Sequence, residues 1–166
     1  MLASEKDVDG FISLSGPGKS IDETILDQLA IMNTPDLIKS AEKTIGIMKS
    51  GKVDKDFNPA LANIFHLGVQ PFMISWMRYT PSKEISKLTI PTLIINGTND
   101  VQISVEEAKL LKKGNPNAEY VLIEHMNHVL KTVEVKDDQE NLKTYNMPKL
   151  KNTPELANKI IAFLKK

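Results

Sequence analysis

The segment IPTLIINGTND, residues 90–100, decides the fold class of this 166-residue chain. Its apolar run lies between Pro91 and Gly97, as in a strand that is buried on both faces of a parallel sheet. Similar apolar runs lie earlier and later in the chain, and segments with helical spacing separate the three runs. We therefore predict an α/β fold with about three parallel strands, near residues 10–15, 91–97 and 119–124.

The segments between these strands carry helix signals. Apolar residues recur at helical spacing from Ile21 to Met32, and Pro35 opens a second helix that stops near Gly51. Short helices and loops are expected from residue 53 to residue 80, because Gly68 and Pro71 interrupt that stretch. Three later segments complete the prediction: a helix whose N-terminus is a capping box of Ser104 and Glu107, a charged loop-rich stretch over residues 129–150, and a last helix that starts at Pro154.

The composition excludes several classes of protein. Hydrophobic residues make up 41% of the chain and charged residues 25%, which excludes a disordered or fibrous protein. The 21 basic and 21 acidic residues balance, so no net charge favours nucleic acid or an anionic membrane as a partner. The N-terminus lacks the layout of a signal peptide, and no apolar run approaches the roughly 20 residues that span a bilayer.

The residue types also limit the possible cofactors. The chain has no cysteine, which excludes disulfides and thiolate metal sites and fits a cytoplasmic location. Its 3 histidines are too scattered in the sequence to predict a metal site. We therefore expect neither a metal nor another cofactor.

Polar residues follow two of the predicted strands. Asn99 and Asp100 come after the second strand, and Asn127 and His128 come after the third. Ligands and catalytic groups gather at the carboxyl ends of strands in open parallel sheets, where neighbouring loops meet. A carboxylate that accepts the Nδ1–H of an imidazole fixes its tautomer and stabilises the imidazolium, as a nucleophilic hydrolase requires.

Residues 90–103 and 122–128 together resemble the acid and histidine loops of α/β-hydrolases. The Gly-x-x-Asp unit of that family maps its triad acid to Asp100, and its final histidine maps to His128, 28 residues later. The family often has glycine at the position of His125. The resemblance implies a partial α/β-hydrolase fold over residues 1–166, with a helical lid at about 20–80 and the sheet portion that bears the acid and histidine at 88–166.

The serine nucleophile of that family is missing from the sequence. Its Gly-x-Ser-x-Gly elbow precedes the acid in chain order, and Ser15, the candidate at a strand end, has neither glycine of this motif. We therefore expect a truncated C-terminal part of a serine hydrolase for esters or related acyl bonds, inactive alone, with residues 1–4 as the tail of the helix after the elbow. The first strand would then expose an unpaired edge and favour a homo-oligomer.

Two other functions stay open. Residues 13–20 nearly match the phosphate-binding P-loop Gly-x-x-x-x-Gly-Lys-Ser, but Ser13 occupies the first glycine position, so a turn with a surface lysine at Lys19 is the simpler interpretation. A non-catalytic interaction module is the remaining alternative. His66 and the aromatic residues of the lid region are interpreted as structural.

Overall fold

A computed structural model describes residues 8–31, 35–135 and 137–166. The predictions for Met32 and for the helix tail at residues 1–4 lie outside these ranges. The chain divides into two compact units: a sheet unit of residues 1–18 and 82–166, and a helical unit of residues 19–81. Each unit has its own apolar core.

The sheet unit contains three parallel strands, which confirms the predicted fold class. They are β1 (Phe11–Leu14), β2 (Thr92–Gly97) and β3 (Glu119–Ile123), in the spatial order β1-β2-β3. Phe11 pairs with Thr92, and Leu93 pairs with Glu119. The central position of β2 agrees with the prediction, and all of its residues are buried.

The centre of strand β2 is apolar because both faces of the sheet are covered there. Leu93 and Ile95 alternate with Ile94, and these side chains enter two different apolar clusters. The first cluster includes Ile123, Met126, Leu156 and Phe163; the second includes Ile85, Ala108, Leu111 and Ala118. A β2 strand in which polar residues alternated with apolar ones would therefore be less stable.

The helices begin and end close to the predicted signals. In the helical unit, α1 (Ile21–Ile31) and α2 (Pro35–Lys49) precede a 3-10 turn (Pro59–Leu61) and the short helices α3 (Ala62–Phe65) and α4 (Gln70–Trp76). Then follow α5 (Pro81–Ile85), α6 (Val105–Gly114), α7 (Asp138–Lys143), a second 3-10 turn (Thr144–Asn146) and α8 (Pro154–Leu164). Within the described ranges, no helix is both long and apolar enough to cross a membrane.

The predicted capping box at the start of α6 is wrong in its chemistry. Ser104 is the N-cap residue, but its side chain makes no cap hydrogen bond. Glu107, the other predicted member, accepts a hydrogen bond from the backbone amide of Gly18 at 3.1 Å. Gly18 approaches the α6 backbone so closely that a Cβ would lie 2.3 Å from the carbonyl oxygen of Glu107. Tertiary packing of the loop after β1 thus takes the carboxylate away from its local role.

Candidate active site

Asp100 holds a fixed and fully buried carboxylate just beyond the carboxyl end of β2. Its Oδ1 atom accepts the backbone amides of Gln102 at 2.9 Å and Ile103 at 2.8 Å, which close the turn after the strand. The side chain has 0% of its surface exposed. Two backbone donors orient the carboxylate, so its second oxygen points in a defined direction.

His128 meets that second oxygen. Its Nδ1 atom lies 3.0 Å from Oδ2 of Asp100, and its side chain is 29% exposed. Since a carboxylate only accepts hydrogen bonds, this contact assigns the proton to Nδ1. The other ring nitrogen, Nε2, is then unprotonated in the neutral imidazole and can act as a base.

The two loops that carry these side chains are in direct backbone contact. A Cβ on Gly97 would lie 1.9 Å from the carbonyl oxygen of Met126, so only glycine allows this approach. The amide of Asn99 donates to the same carbonyl at 3.0 Å, and the amide of His125 donates to Oγ1 of Thr98 at 2.9 Å. These contacts fix the spacing between the residues that precede Asp100 and His128.

The turn that presents His128 closes on itself. Asn127 and Lys131 exchange two hydrogen bonds of 2.9 Å, one between backbone groups and one from the Lys131 amide to the Asn127 side chain. Leu130 within the turn has a positive φ of 64°. The turn therefore holds His128 by a local hydrogen-bonded loop as well as by Asp100.

A buried network of polar side chains, which the sequence did not predict, underlies both loops. Nδ2 of Asn127 donates to Oδ1 of Asn141 at 3.0 Å and to Oγ1 of Thr144 at 2.7 Å. Nδ2 of Asn141 donates to the backbone oxygen of Asn99 at 2.6 Å. The only sequence signal was an asparagine directly before both Asp100 and His128.

A tyrosine borders the acid loop. The hydroxyl of Tyr145 accepts a hydrogen bond of 3.0 Å from Nε2 of Gln102, whose own amide binds Asp100. Burial raises the pKa of Tyr145 above its ordinary value of 10.0, and the negative charge of Asp100 adds to the rise against the opposing effect of Gln102. Tyr145 therefore stays a neutral phenol beside the carboxylate.

Ser15 lies at the end of a strand, but its surroundings are not those of an activated nucleophile. It follows β1, has a positive φ of 46° and is 5% exposed. Its amide donates to the Ile95 carbonyl at 2.9 Å, and its buried hydroxyl has no hydrogen-bond partner among the described residues. The structure brings together the predicted acid and histidine.

The groups of the near-P-loop have protein partners. The Gly18 amide binds the carboxylate of Glu107, and Lys19 forms an ion pair with Asp27. The hydroxyl of Ser20 donates to Glu23 at 2.7 Å. Carboxylates therefore occupy the amide and hydroxyl that would have to bind phosphate, and the nucleotide alternative is not favoured.

The other two histidines lie in different settings. His125 has a positive φ of 58° and its Nε2 lies 3.9 Å from an oxygen of the exposed Glu134. His66 accepts the amide of Gly68 at 3.1 Å through Nδ1, in the helical unit. Neither histidine has the buried carboxylate partner that His128 has.

The sequence is similar to that of a known esterase. The chain is 25% identical over 133 residues to Esterase EstD of Thermotoga maritima, a match that covers 78% of this chain and 31% of the esterase. The chain thus spans about a third of the length of this curated relative. No family model matches the sequence.

Two solved structures are also similar in fold. A serine hydrolase involved in carbazole degradation (CarC enzyme) has a TM-score of 0.45 at 15% identity, over 99% of this chain and 57% of that one. A bromoperoxidase from Bacillus anthracis has a TM-score of 0.46 at 18% identity, over 95% and 58%. The parallel β1-β2-β3 sheet agrees with the partial α/β-hydrolase fold that the sequence predicts, and the chain is similar in sequence to an esterase.

Proposed function

We propose that Asp100 and His128 are the acid and the base of a serine hydrolase that acts on an ester or related acyl bond. The observation that carries this proposal is the 3.0 Å contact between Nδ1 of His128 and Oδ2 of the fully buried Asp100. Two backbone amides already orient that carboxylate. A carboxylate fixed in this way leaves Nε2 of the imidazole as the proton acceptor.

In the proposed reaction, Nε2 of His128 takes the proton of a serine hydroxyl as the serine oxygen bonds to the acyl carbon. The imidazolium, stabilised by Asp100, then gives that proton to the leaving alkoxide, and an acyl-enzyme remains. In the second half, His128 takes a proton from water as the water oxygen bonds to the acyl carbon; the bond from that carbon to the serine oxygen then breaks, His128 returns the proton to the serine oxygen, and the carboxylic acid leaves. Acid, serine and histidine are thus regenerated in each cycle.

We further propose that the nucleophilic serine is supplied by residues other than these 166. The sequence contains no Gly-x-Ser-x-Gly motif, and the match covers 31% of the esterase. Strand β1 pairs with β2 alone among the described strands, so an additional strand can bind at its other edge. The 166-residue chain would then be inactive by itself, since an acid–histidine pair cannot form an acyl-enzyme without its nucleophile.

The helical unit is proposed to act as the lid that contacts the acyl part of the substrate. The interpretation of the aromatic residues as structural is wrong for two of them on α4: Phe72 is 63% exposed and Trp76 39% exposed, and their ring centroids lie 5.4 Å apart. Exposed aromatic pairs of this kind suit contact with an apolar group. The substrate class proposed from these residues is an ester with an apolar acyl chain.

Hydrolysis of p-nitrophenyl esters tests the proposed function. The assay uses the 166-residue chain and, in parallel, the polypeptide of the longer reading frame that includes a Gly-x-Ser-x-Gly segment. Turnover is expected only in the longer polypeptide, and Asp100→Asn should lower kcat by a factor on the order of 10⁴. His128→Ala should abolish turnover and His125→Gly should preserve it. Equal losses in the two histidine variants, or His128-dependent turnover by the short chain, would overturn the proposal.

A further inference from the structure

Asn141 links the two loops of the candidate active site through a single side chain. Its Oδ1 atom accepts a hydrogen bond of 3.0 Å from Asn127, the residue before His128. Its Nδ2 atom donates at 2.6 Å to the backbone oxygen of Asn99, the residue before Asp100. The side chain lies on α7, outside both loops, and Asn141 is 1% exposed.

Asn127, the asparagine that binds Asn141, uses both of its side-chain N–H donors in hydrogen bonds. The two N–H groups of Asn127 donate to Asn141 and to Thr144, and its Oδ1 accepts the amide of Lys131 at 2.9 Å. Thr144 in turn donates to the backbone oxygen of Asn141 at 2.7 Å. Asn127 is 0% exposed, so it cannot exchange these bonds for water.

Only a carboxamide at position 141 serves both loops. Its oxygen meets a donor on the histidine side, while its nitrogen meets an acceptor on the acid side. An aspartate could accept from Asn127 but could not donate to Asn99, and an alanine would leave both groups without partners in the interior. The role therefore requires the donor and acceptor together.

We infer that Asn141, with Thr144, is a positioning residue that holds Asp100 and His128 in register. It contacts neither side chain itself but fixes the residue before each of them. The inference rests on the proposed function in that it takes the Asp100–His128 pair as catalytic. Loss of Asn141 should remove the side-chain link between the two loops, leave only their backbone contacts and the bond to Thr98, and so loosen the contact between Nδ1 of His128 and Oδ2 of Asp100.

Nitrogen-15 NMR of His128 in the 166-residue chain tests this inference without any need for turnover. The native chain should show the Nδ1–H tautomer and slow exchange of that proton with water. Asn141→Ala should lose the tautomer preference and exchange the Nδ1 proton about fivefold faster, as expected for one lost hydrogen bond. An unchanged tautomer and exchange rate in folded Asn141→Ala would overturn the inference.

Asn115→Ala is the matched control. Asn115 is also buried, its Oδ1 accepts the amide of Asn117 at 3.2 Å, and its Nδ2 lies 3.5 Å from the Leu88 carbonyl oxygen. It precedes the amino end of β3, whereas the acid and histidine loops follow the carboxyl ends of the strands. It should therefore lower stability and leave the His128 tautomer intact; a loss of the tautomer in both variants would indicate a merely structural effect and contradict the inference.

Thr144→Val decides the question if Asn141→Ala does not fold. Valine keeps the shape of threonine but removes the acceptor for Asn127, so faster exchange at Nδ1 is again expected and native exchange contradicts the inference. In the longer serine-bearing polypeptide, the same variant should lower kcat with little change in KM. If the variants show the expected faster exchange at Nδ1 but no protein turns over esters, the proposed function is refuted while the positioning role stays supported.

Discussion

Gly97 is the residue at which the acid loop and the histidine loop approach most closely. A Cβ there would lie 1.9 Å from the Met126 carbonyl oxygen, so Gly97→Ala must force the loops apart. We expect Gly97→Ala to lower the free energy of unfolding by about 3 kcal/mol, the upper part of the range for overpacking. Urea unfolding measures this change.

Gly46→Ala should change the free energy of unfolding in the opposite direction, as measured in the same urea experiment. Gly46 lies inside α2, and a Cβ there meets nothing within 4 Å. Alanine should raise the free energy of unfolding by about 0.5–1 kcal/mol through its helix propensity. Destabilisation by both substitutions would mean that the glycine at 97 has no special role in the loop contact.

His125 is a second residue at which the backbone conformation predicts the effect of a substitution. Its φ of 58° lies in the left-handed region, in which glycine is favoured. His125→Gly should therefore stabilise the chain by up to about 1 kcal/mol, as read from the thermal midpoint. A lower midpoint would show that the histidine side chain stabilises the loop by a contact that outweighs the backbone strain.

The sequence allowed Asp100 and His128 to be named because strand ends of a parallel sheet concentrate polar groups, and the structure places these two side chains in contact. Their catalytic role stays a proposal. Asn141 and Thr144 could not be found in this way, since they lie in a charged segment without periodicity. Asn127, which donates to both, lies 14 and 17 residues before them in the sequence and meets them only through the tertiary fold.

At the scale of helices, an ion pair between a buried carboxylate and a partly exposed lysine connects α1 and α2. The carboxylate of Asp22, 4% exposed, lies 2.5 Å from Nζ of Lys49. Burial by itself raises the pKa of Asp22, but hydrogen bonds from Lys49, Ser20 and a backbone amide, together with the charge of Lys49, outweigh it, so the pKa lies below its ordinary value of 3.8. The ionised pair therefore stabilises the folded helical unit.

The sign of this shift gives a pH prediction. Because the folded pKa is depressed, the contribution of Asp22 is fully present above about pH 3.8 and is lost as the pH falls through the folded pKa. Asp22→Asn should unfold at lower urea than the native chain near pH 6, and the gap should narrow below pH 4. An equal gap at both pH values would contradict this account of the pair.

Strand and helix prediction succeeded where one local pattern determined the element. The apolar run of β2, the proline at the start of α2 and that at the start of α8 each agree with the structure. The capping box at Ser104 failed because the sequence could not show that Gly18 would need the Glu107 carboxylate. Local signals predict element bounds well, while side-chain partners depend on the tertiary contacts.

At the scale of the whole molecule, β1 carries an unpaired edge within the described sheet. The amide of Phe11 donates to the carbonyl of Pro91, the residue before β2, and the amide of Ser15 to the carbonyl of Ile95 in β2, at 2.9 Å each. The alternate amides of Ile12 and Leu14 therefore face away from β2. Such an edge binds further strands. We propose that the 166-residue chain associates with itself through this edge.

Leu14→Pro tests the proposed association. Leu14 is 39% exposed, and proline at an edge position removes a donor that the native sheet does not use. Sedimentation velocity should show a dissociation constant about tenfold higher than in the native chain. Leu164→Lys, at a 69% exposed apolar residue of α8, is the control and should not change it. A native chain that stays monomeric at all concentrations would contradict the proposal.

The most direct test of the central claim is to map the serine that a fluorophosphonate modifies in the longer polypeptide. We expect one modified serine within a Gly-x-Ser-x-Gly segment outside these 166 residues, and no modification in the His128→Ala variant. Modification of Ser15, or of any serine at an undiminished rate without His128, would show that Asp100 and His128 do not form the acid–base half of a serine hydrolase.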